Sequence, residues 1–223
     1  MAVAPPPDGG AAAPGLLGSL GVLRLTTCGA VDDGKSTLVG RLLADAGMLF
    51  DDQLAALKRA SEARHGPGVI DYALLFDGLD IEREQSITID VAYRFFMTRR
   101  RKFIIADAPG HEAHTRNMAT AASHADLAII VVDATRGPTP QTLRHLRIAG
   151  LVGVSEAIIA VSKMDAAGFS ADRFSALSQD LSLACAEAGL RVRAAVPVAA
   201  VEGHNVVHRS AAMPWYGGPT LLE

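Results

Sequence analysis

Gly29-Ala30-Val31-Asp32-Asp33-Gly34-Lys35-Ser36 fits the pattern G-x-x-x-x-G-K-[ST], and its reading decides the fold. An apolar, strand-like run (Val22, Leu23, Leu25) precedes it, and a helix-like run (Leu38, Val39, Leu42, Leu43) follows. Strand, glycine-bracketed loop and helix in that order are the context a phosphate-cradling P-loop requires. The glycines let successive N–H groups converge on phosphate oxygens, and the helix N-terminus adds the positive end of its dipole. Lys35 is placed to neutralise the terminal phosphates, and Ser36 to offer a hydroxyl to Mg²⁺. A ligand-free glycine turn is the bland alternative, and both flanks argue against it.

The chain has 223 residues, enough for one ample core, and its apolar fraction of 49% is ordinary for a globular protein. A formal net charge of −3 gives no support for a broad nucleic-acid-binding surface. The dense basic run Arg99-Arg100-Arg101-Lys102 lies between two strand-like runs, so it reads as a solvated hairpin tip rather than a phosphate patch. Cys28 and Cys185 lie far apart in sequence without metal-ligand spacing, which argues against disulfide scaffolding and zinc. That usage suits a reducing cytoplasm. Residues 1–20, rich in Ala, Pro and Gly, lack the charged start of a signal peptide and read as a disordered leader. No later stretch is a long uncharged apolar span, so no membrane partner is expected.

From Val22 onward strands alternate with helices. Strands are expected at Val22–Cys28, Val91–Thr98, Lys102–Asp107, Leu127–Asp133, Ala157–Val161 and Val192–Val198. Helices are expected at Ser36–Ala46, Asp52–Arg64, Arg116–Ala122, Pro140–Gly150 and Ala171–Ala188. The run Leu127-Ala128-Ile129-Ile130-Val131-Val132 is apolar without alternation, as a strand covered on both faces must be. The class is therefore α/β in three layers, with a mostly parallel sheet. Val91–Thr98 and Lys102–Asp107, joined by a few residues, form the one antiparallel pair. Ligands in such sheets sit beyond the carboxyl ends of the strands. The P-loop, Asp107 and Lys163 all fall there. The segment from His65 to Asp90 reads as a long, mixed, functional loop.

Four more stretches follow in series: Ile87-Thr88-Ile89, Asp107-Ala108-Pro109-Gly110-His111, Ser162-Lys163-Met164-Asp165 and Val198-Ala199-Ala200. With the P-loop and Thr37 they resemble the Ras-like GTPases of the translation-factor superfamily. More narrowly the chain resembles the large, GTPase subunit of sulfate adenylyltransferase (ATP sulfurylase). The narrower likeness rests on Val31–Thr37, Asp77-Gly78-Leu79, Glu82-Arg83-Glu84-Gln85, Thr88–Phe96 and Met213-Pro214-Trp215-Tyr216, with Asp33 where elongation factors usually carry His. The likeness implies a G domain over residues 21–223 that binds GTP and Mg²⁺, the ion held by Ser36, Asp107 and, in the GTP state, Thr88. It implies that His111 positions the attacking water and that Asp165 reads guanine through two hydrogen bonds. Lys163 would lay its stem along the purine, and the Ala200 N–H would meet guanine O6. The partner implied is a small catalytic adenylyltransferase subunit, since nothing in the sequence supplies a site for ATP and sulfate.

The sequence departs from the pattern at Ser162 (for Asn), Ser86 (for Gly), Ala199 (for Ser) and Ala108 (for Thr). Relatives continue into β-barrel domains, which a chain ending at Glu223 is expected to lack. Asp32 is a carboxylate in a phosphate loop, expected either to attract a monovalent cation or to brace the loop. Three functions compete: a sulfate adenylyltransferase GTPase subunit, a translation-type GTPase, and a nucleotide-binding module without turnover. The block Thr88–Phe96 and Asp33 favour the first over the second.

Overall fold

The computed structural model describes residues 21–76 and 90–223. Thr88, Ser86 and the stretches Asp77–Leu79 and Glu82–Gln85 lie outside them. Six strands, β1 (Val22–Cys28), β2 (Ala92–Met97), β3 (Lys102–Asp107), β4 (Leu127–Asp133), β5 (Glu156–Ser162) and β6 (Arg191–Pro197), form one sheet in the order β2-β3-β1-β4-β5-β6. Only β2, on the edge, is antiparallel to its neighbour; its hairpin with β3 turns at exposed Arg99, Arg100 and Arg101. The expected strands thus stand within a residue of the observed ones.

The helices are α1 (Lys35–Asp45), α2 (Asp51–His65), α3 (Thr115–Ala122), α4 (Pro140–Leu151) and α5 (Ala171–Glu187). Start signals explain two of them. Thr139 caps α4 by accepting from the Thr142 N–H at 3.2 Å with Pro140 in the first turn, and Ser170 accepts from the Arg173 N–H at 3.2 Å to start α5. Helix α1 differs: Gly34 precedes it at φ 87°, and no side chain caps it. Glycine at that position supplies no side-chain acceptor of the kind Thr139 and Ser170 provide.

Strand β4 is buried along its whole length. Ile130 and Val132 pack with Met118, Leu146 and Leu181 from α3, α4 and α5, while Ile129 and Val131 pack with Leu38 and Leu42 from α1. Each such side chain withdrawn from water contributes roughly 1.5–3 kcal/mol, so this strand anchors both layers. The expected loop after α2 contains a short 3-10 turn, Tyr72–Leu75, seated on α1. Gly40 permits that contact, because a Cβ there would stand 2.9 Å from the Tyr72 carbonyl carbon. Arg94 holds the segment from β2 by donating to the Leu75 carbonyl at 2.6 Å. Cys28 and Cys185 are free thiols, both fully buried. Among the described residues no helix is long and apolar enough to cross a membrane.

Candidate functional site

The carboxyl ends of β1, β3, β5 and β6 carry the expected site residues that lie among the described ones, all at one edge of the sheet. The loop after β1 is held open by backbone geometry: Gly29 at φ 148° and Gly34 at φ 87° take conformations that favour glycine. Asp32 also has positive φ, 64°, and its side chain is exposed. The bracing carboxylate is instead Asp33, fully buried, which accepts from the Ala30 N–H at 2.7 Å and from Arg136 at 3.0 Å. Arg136 also donates to the Val31 carbonyl at 3.1 Å. Burial raises the Asp33 pKa, against the pull of the Ala30 N–H and of Lys35.

Lys35 is buried within this loop, its Nζ donating to the Ala30 carbonyl at 2.7 Å. Burial lowers its pKa, and the carboxylates of Asp107 and Asp33 oppose that change. Asp107, at the end of β3, accepts from the Ser36 hydroxyl at 2.5 Å and from the Thr27 hydroxyl at 2.8 Å. Burial raises its pKa too, countered by Ser36 and then Lys35. A carboxylate and a hydroxyl in contact beside a buried lysine form a hard-oxygen donor pair, which fits Mg²⁺ completed by phosphate and water rather than a softer metal. Among the described residues no group of three His, Cys, Asp or Glu side chains could hold a metal.

Gly110 lies directly over the phosphate loop, where a Cβ would stand 2.8 Å from the Ala30 carbonyl oxygen. Ala108 donates its N–H to Thr27 at 3.0 Å, and it and Pro109 are buried. His111 is exposed at the head of a 3-10 turn, Glu112–His114, and its Nδ1 accepts from the Ala113 N–H at 3.1 Å. In the neutral ring the proton then sits on Nε2.

Ser162, which stands where the family pattern has Asn, is buried at the end of β5. Its hydroxyl donates to the Asp33 carbonyl at 2.6 Å, bracing the phosphate loop from β5. Lys163 adopts φ 55° and its Nζ lies 2.9 Å from Asp133, at the end of β4. Met164 is buried while Asp165 is exposed. The loop they start returns through Phe169, whose N–H meets the Met164 carbonyl at 2.7 Å and whose carbonyl accepts from Trp215 at 2.9 Å. Tyr216 donates to Ala195 of β6 at 2.9 Å, so the segment Met213–Tyr216 ties this loop to the sheet. Ala199 and Ala200 are buried beyond β6.

Sequence reasoning missed three residues here. Asp133 ends a buried strand and Arg136 follows it, and the acid at that strand's end was the available signal. His145, on α4 and fully buried, accepts the Gly29 N–H at 3.3 Å through Nδ1; a polar residue in a helix carried no signal. Burial, then the charge of Lys35, lowers its pKa to about 4.

Comparison with known proteins agrees with this arrangement. The family described as "Elongation factor Tu GTP binding domain" matches residues 21–222. The chain is 57% identical to the bifunctional enzyme NodQ of Azospirillum brasilense over 91% of its own length and 33% of that protein's. It is 55% identical to sulfate adenylyltransferase subunit 1 of Citrobacter koseri, over 91% of this chain and 43% of that one. The chain therefore spans less than half the length of either relative. Among solved structures, sup35 complexed with GMPPNP superposes with a TM-score of 0.62 at 26% identity, over 92% of this chain and 44% of that one. A bacterial selenocysteine-specific elongation factor gives 0.63 at 25%, over 82% and 26%. A six-stranded sheet with one antiparallel edge, a glycine-bracketed loop holding a buried lysine, and this match over nearly the whole described chain leave one conclusion: the chain belongs to the elongation factor Tu GTP-binding-domain family of GTPases.

Proposed function

We propose that the chain is the GTP-binding and GTP-hydrolysing domain of a sulfate adenylyltransferase regulatory subunit, which couples GTP turnover to adenosine 5′-phosphosulfate formation from ATP and sulfate. The observation that carries the nucleotide part is the convergence of Lys35, Ser36 and Asp107 beneath the uncapped start of α1. The identity to subunit 1 relatives supports the sulfate part, with the adenylyl transfer itself residing in a small catalytic subunit and the complex acting in the cytoplasm.

In this reading residues Gly29 to Thr37 take the phosphates. Lys35 would exchange the Ala30 carbonyl for phosphate oxygens, and Ser36 and Asp107, with Thr88 from outside the described residues, would hold Mg²⁺. When bound, the ion would supply neutralisation of the phosphate charge. Ala108, Pro109 and Gly110 line the γ-phosphate side. Asp165 accepts from guanine, Lys163 packs along the ring, Met164 holds the loop in the core, and Ala199 and Ala200 close the purine edge. A titration with labelled GTP, competed by GDP and ATP, tests the reading: GDP should displace the label and ATP should not. Equal displacement by ATP would remove the guanine assignment.

Two variants test individual roles. Ser162→Asn should tighten GTP by ~1 kcal/mol, one hydrogen bond to the purine, because the brace to Asp33 is already made by Ser. Unchanged affinity in that titration would mean the loop has adapted to the shorter side chain. His111→Ala should slow single-turnover hydrolysis on the order of tenfold, one lost transition-state hydrogen bond, and leave GTP affinity nearly intact. A second reading, a binding module without turnover, draws on the engagement of His111 with its own Ala113 N–H. Hydrolysis indistinguishable from the unmodified chain's in that assay would favour it.

A further inference from the structure

Four charged side chains run in alternating sign between the phosphate loop and the purine loop. Asp33 and Asp133 are buried, whereas Arg136 and Lys163 are 45% and 40% exposed in their side chains. Asp133 divides its two oxygens unequally. Oδ1 is taken by Thr135, through the N–H at 2.8 Å and the hydroxyl at 2.6 Å. Oδ2 carries both cations: Lys163 at 2.9 Å and Arg136 at 3.5 Å. Arg136 simultaneously grips the phosphate loop at Asp33 and at the Val31 carbonyl.

We propose that Arg136 is a positioning residue common to both halves of the nucleotide site, and that its sharing of Asp133 with Lys163 couples the phosphate loop energetically to the purine loop. The proposal rests on the nucleotide reading above and adds a residue and a coupling to it. The physical basis is compensation. A buried carboxylate left without a cation is strongly unfavourable, so Asp133 must keep at least one of its two partners. When one cation is removed the other still serves, so a single loss costs less than the loss of both but is felt by the loop the remaining cation also holds. If Lys163 is lost, Arg136 becomes the sole cation on Oδ2 and is drawn from Asp33, which loosens the loop that holds the phosphates. Information thus passes from purine side to phosphate side without any contact between Lys163 and phosphate.

The test is a double-mutant cycle on the full chain, read by GDP affinity with Mg²⁺ present, using Arg136→Gln, Lys163→Met and the pair. Methionine keeps the stem against the purine and removes only the ammonium. The pair should lose about fivefold or more beyond the product of the single losses, within the range found for residues sharing a partner. Repeated with Asp133→Asn, the cycle should collapse to simple multiplication, because no buried charge then needs either cation. Simple multiplication with Asp133 intact, or excess loss that persists in the Asn background, overturns the proposal. Should the pair fail to fold, the single Lys163→Met chain answers the same question. Its affinity for pyrophosphate, which touches only the phosphate half, should fall about twofold or more, and an unchanged value overturns the coupling. If the unmodified chain binds pyrophosphate but not GDP, the guanine-nucleotide reading itself fails, an outcome separable from a failed cycle.

Discussion

Lys35→Ala should lose GTP affinity by roughly two orders of magnitude or more, the largest single effect expected at this site. A charge-assisted hydrogen bond contributes about 1.5–3 kcal/mol, and a lysine bridging two phosphates makes at least two. The side chain is already enclosed in the loop, with its Nζ on the Ala30 carbonyl, so little ordering cost opposes its turn toward a phosphate. Burial lowers the Lys35 pKa, yet Asp107 and Asp33 oppose this, and an arriving triphosphate adds further negative charge that favours the protonated form. Equilibrium titration with fluorescent GTP, beside a near-ultraviolet dichroism check of the fold, measures the effect. Wild-type affinity in a folded variant would sink the assignment of the loop.

The second large effect is on stability against pH, and it runs through His145. The ordinary histidine value of 6.5 falls to about 4 in the folded protein, because the ring is buried and faces the charge of Lys35. The Gly29 N–H donated to Nδ1 likewise demands an unprotonated nitrogen. Between those two values the unfolded chain binds more protons than the folded one, so stability rises with pH across the window. The contribution is complete above about pH 6.5 and is lost as pH falls toward 4. It amounts to roughly 3 kcal/mol, since each pH unit between the unfolded and folded values is worth about 1.4 kcal/mol. Asp33 and Asp107, whose values are raised, act in the opposite sense at the acid end of the range. The comparison must therefore be with His145→Asn, which presents an amide oxygen near the place of Nδ1 and cannot titrate. Urea denaturation at pH 7 and pH 4.5 should show the Asn chain losing less than the unmodified one. Equal losses would assign the acid sensitivity elsewhere.

The elements were legible because the sheet is covered on both faces. Leu127 to Val132 has no polar residue to interrupt it, and no other structure suits so short a run between turn signals. The phosphate loop was legible for a different reason, since its chemistry needs particular residues at fixed spacing. What stayed hidden are contacts made across sequence distance. Arg136 sits in a loop without periodicity and meets Asp33 only after β1 and β4 pair. His145 looks like any polar residue on a helix until the fold presses its ring against Gly29. In the sequence Asp32 is the anomalous carboxylate, but in the fold it is exposed, and its neighbour Asp33 takes the bracing role. For Ser162 the sequence shows a shortened side chain, whereas the fold brings the Asp33 carbonyl within its reach.

The two thiols offer a reporter of a kind that needs no added label site. Burial drives Cys28 up to about 12 and Cys185 up to about 11. At neutral pH the buried Cys28 is held as the unreactive thiol, and it is closed to a reagent while the fold is intact. Alkylation by iodoacetamide must therefore wait for the chain to open. Because Cys28 immediately precedes the phosphate loop, its rate of modification clocks the opening of that loop's own foundation. Nucleotide that tightens the loop should slow the modification, its rate falling in proportion to the fraction of chains left unoccupied, turning a mass spectrometer into a binding assay.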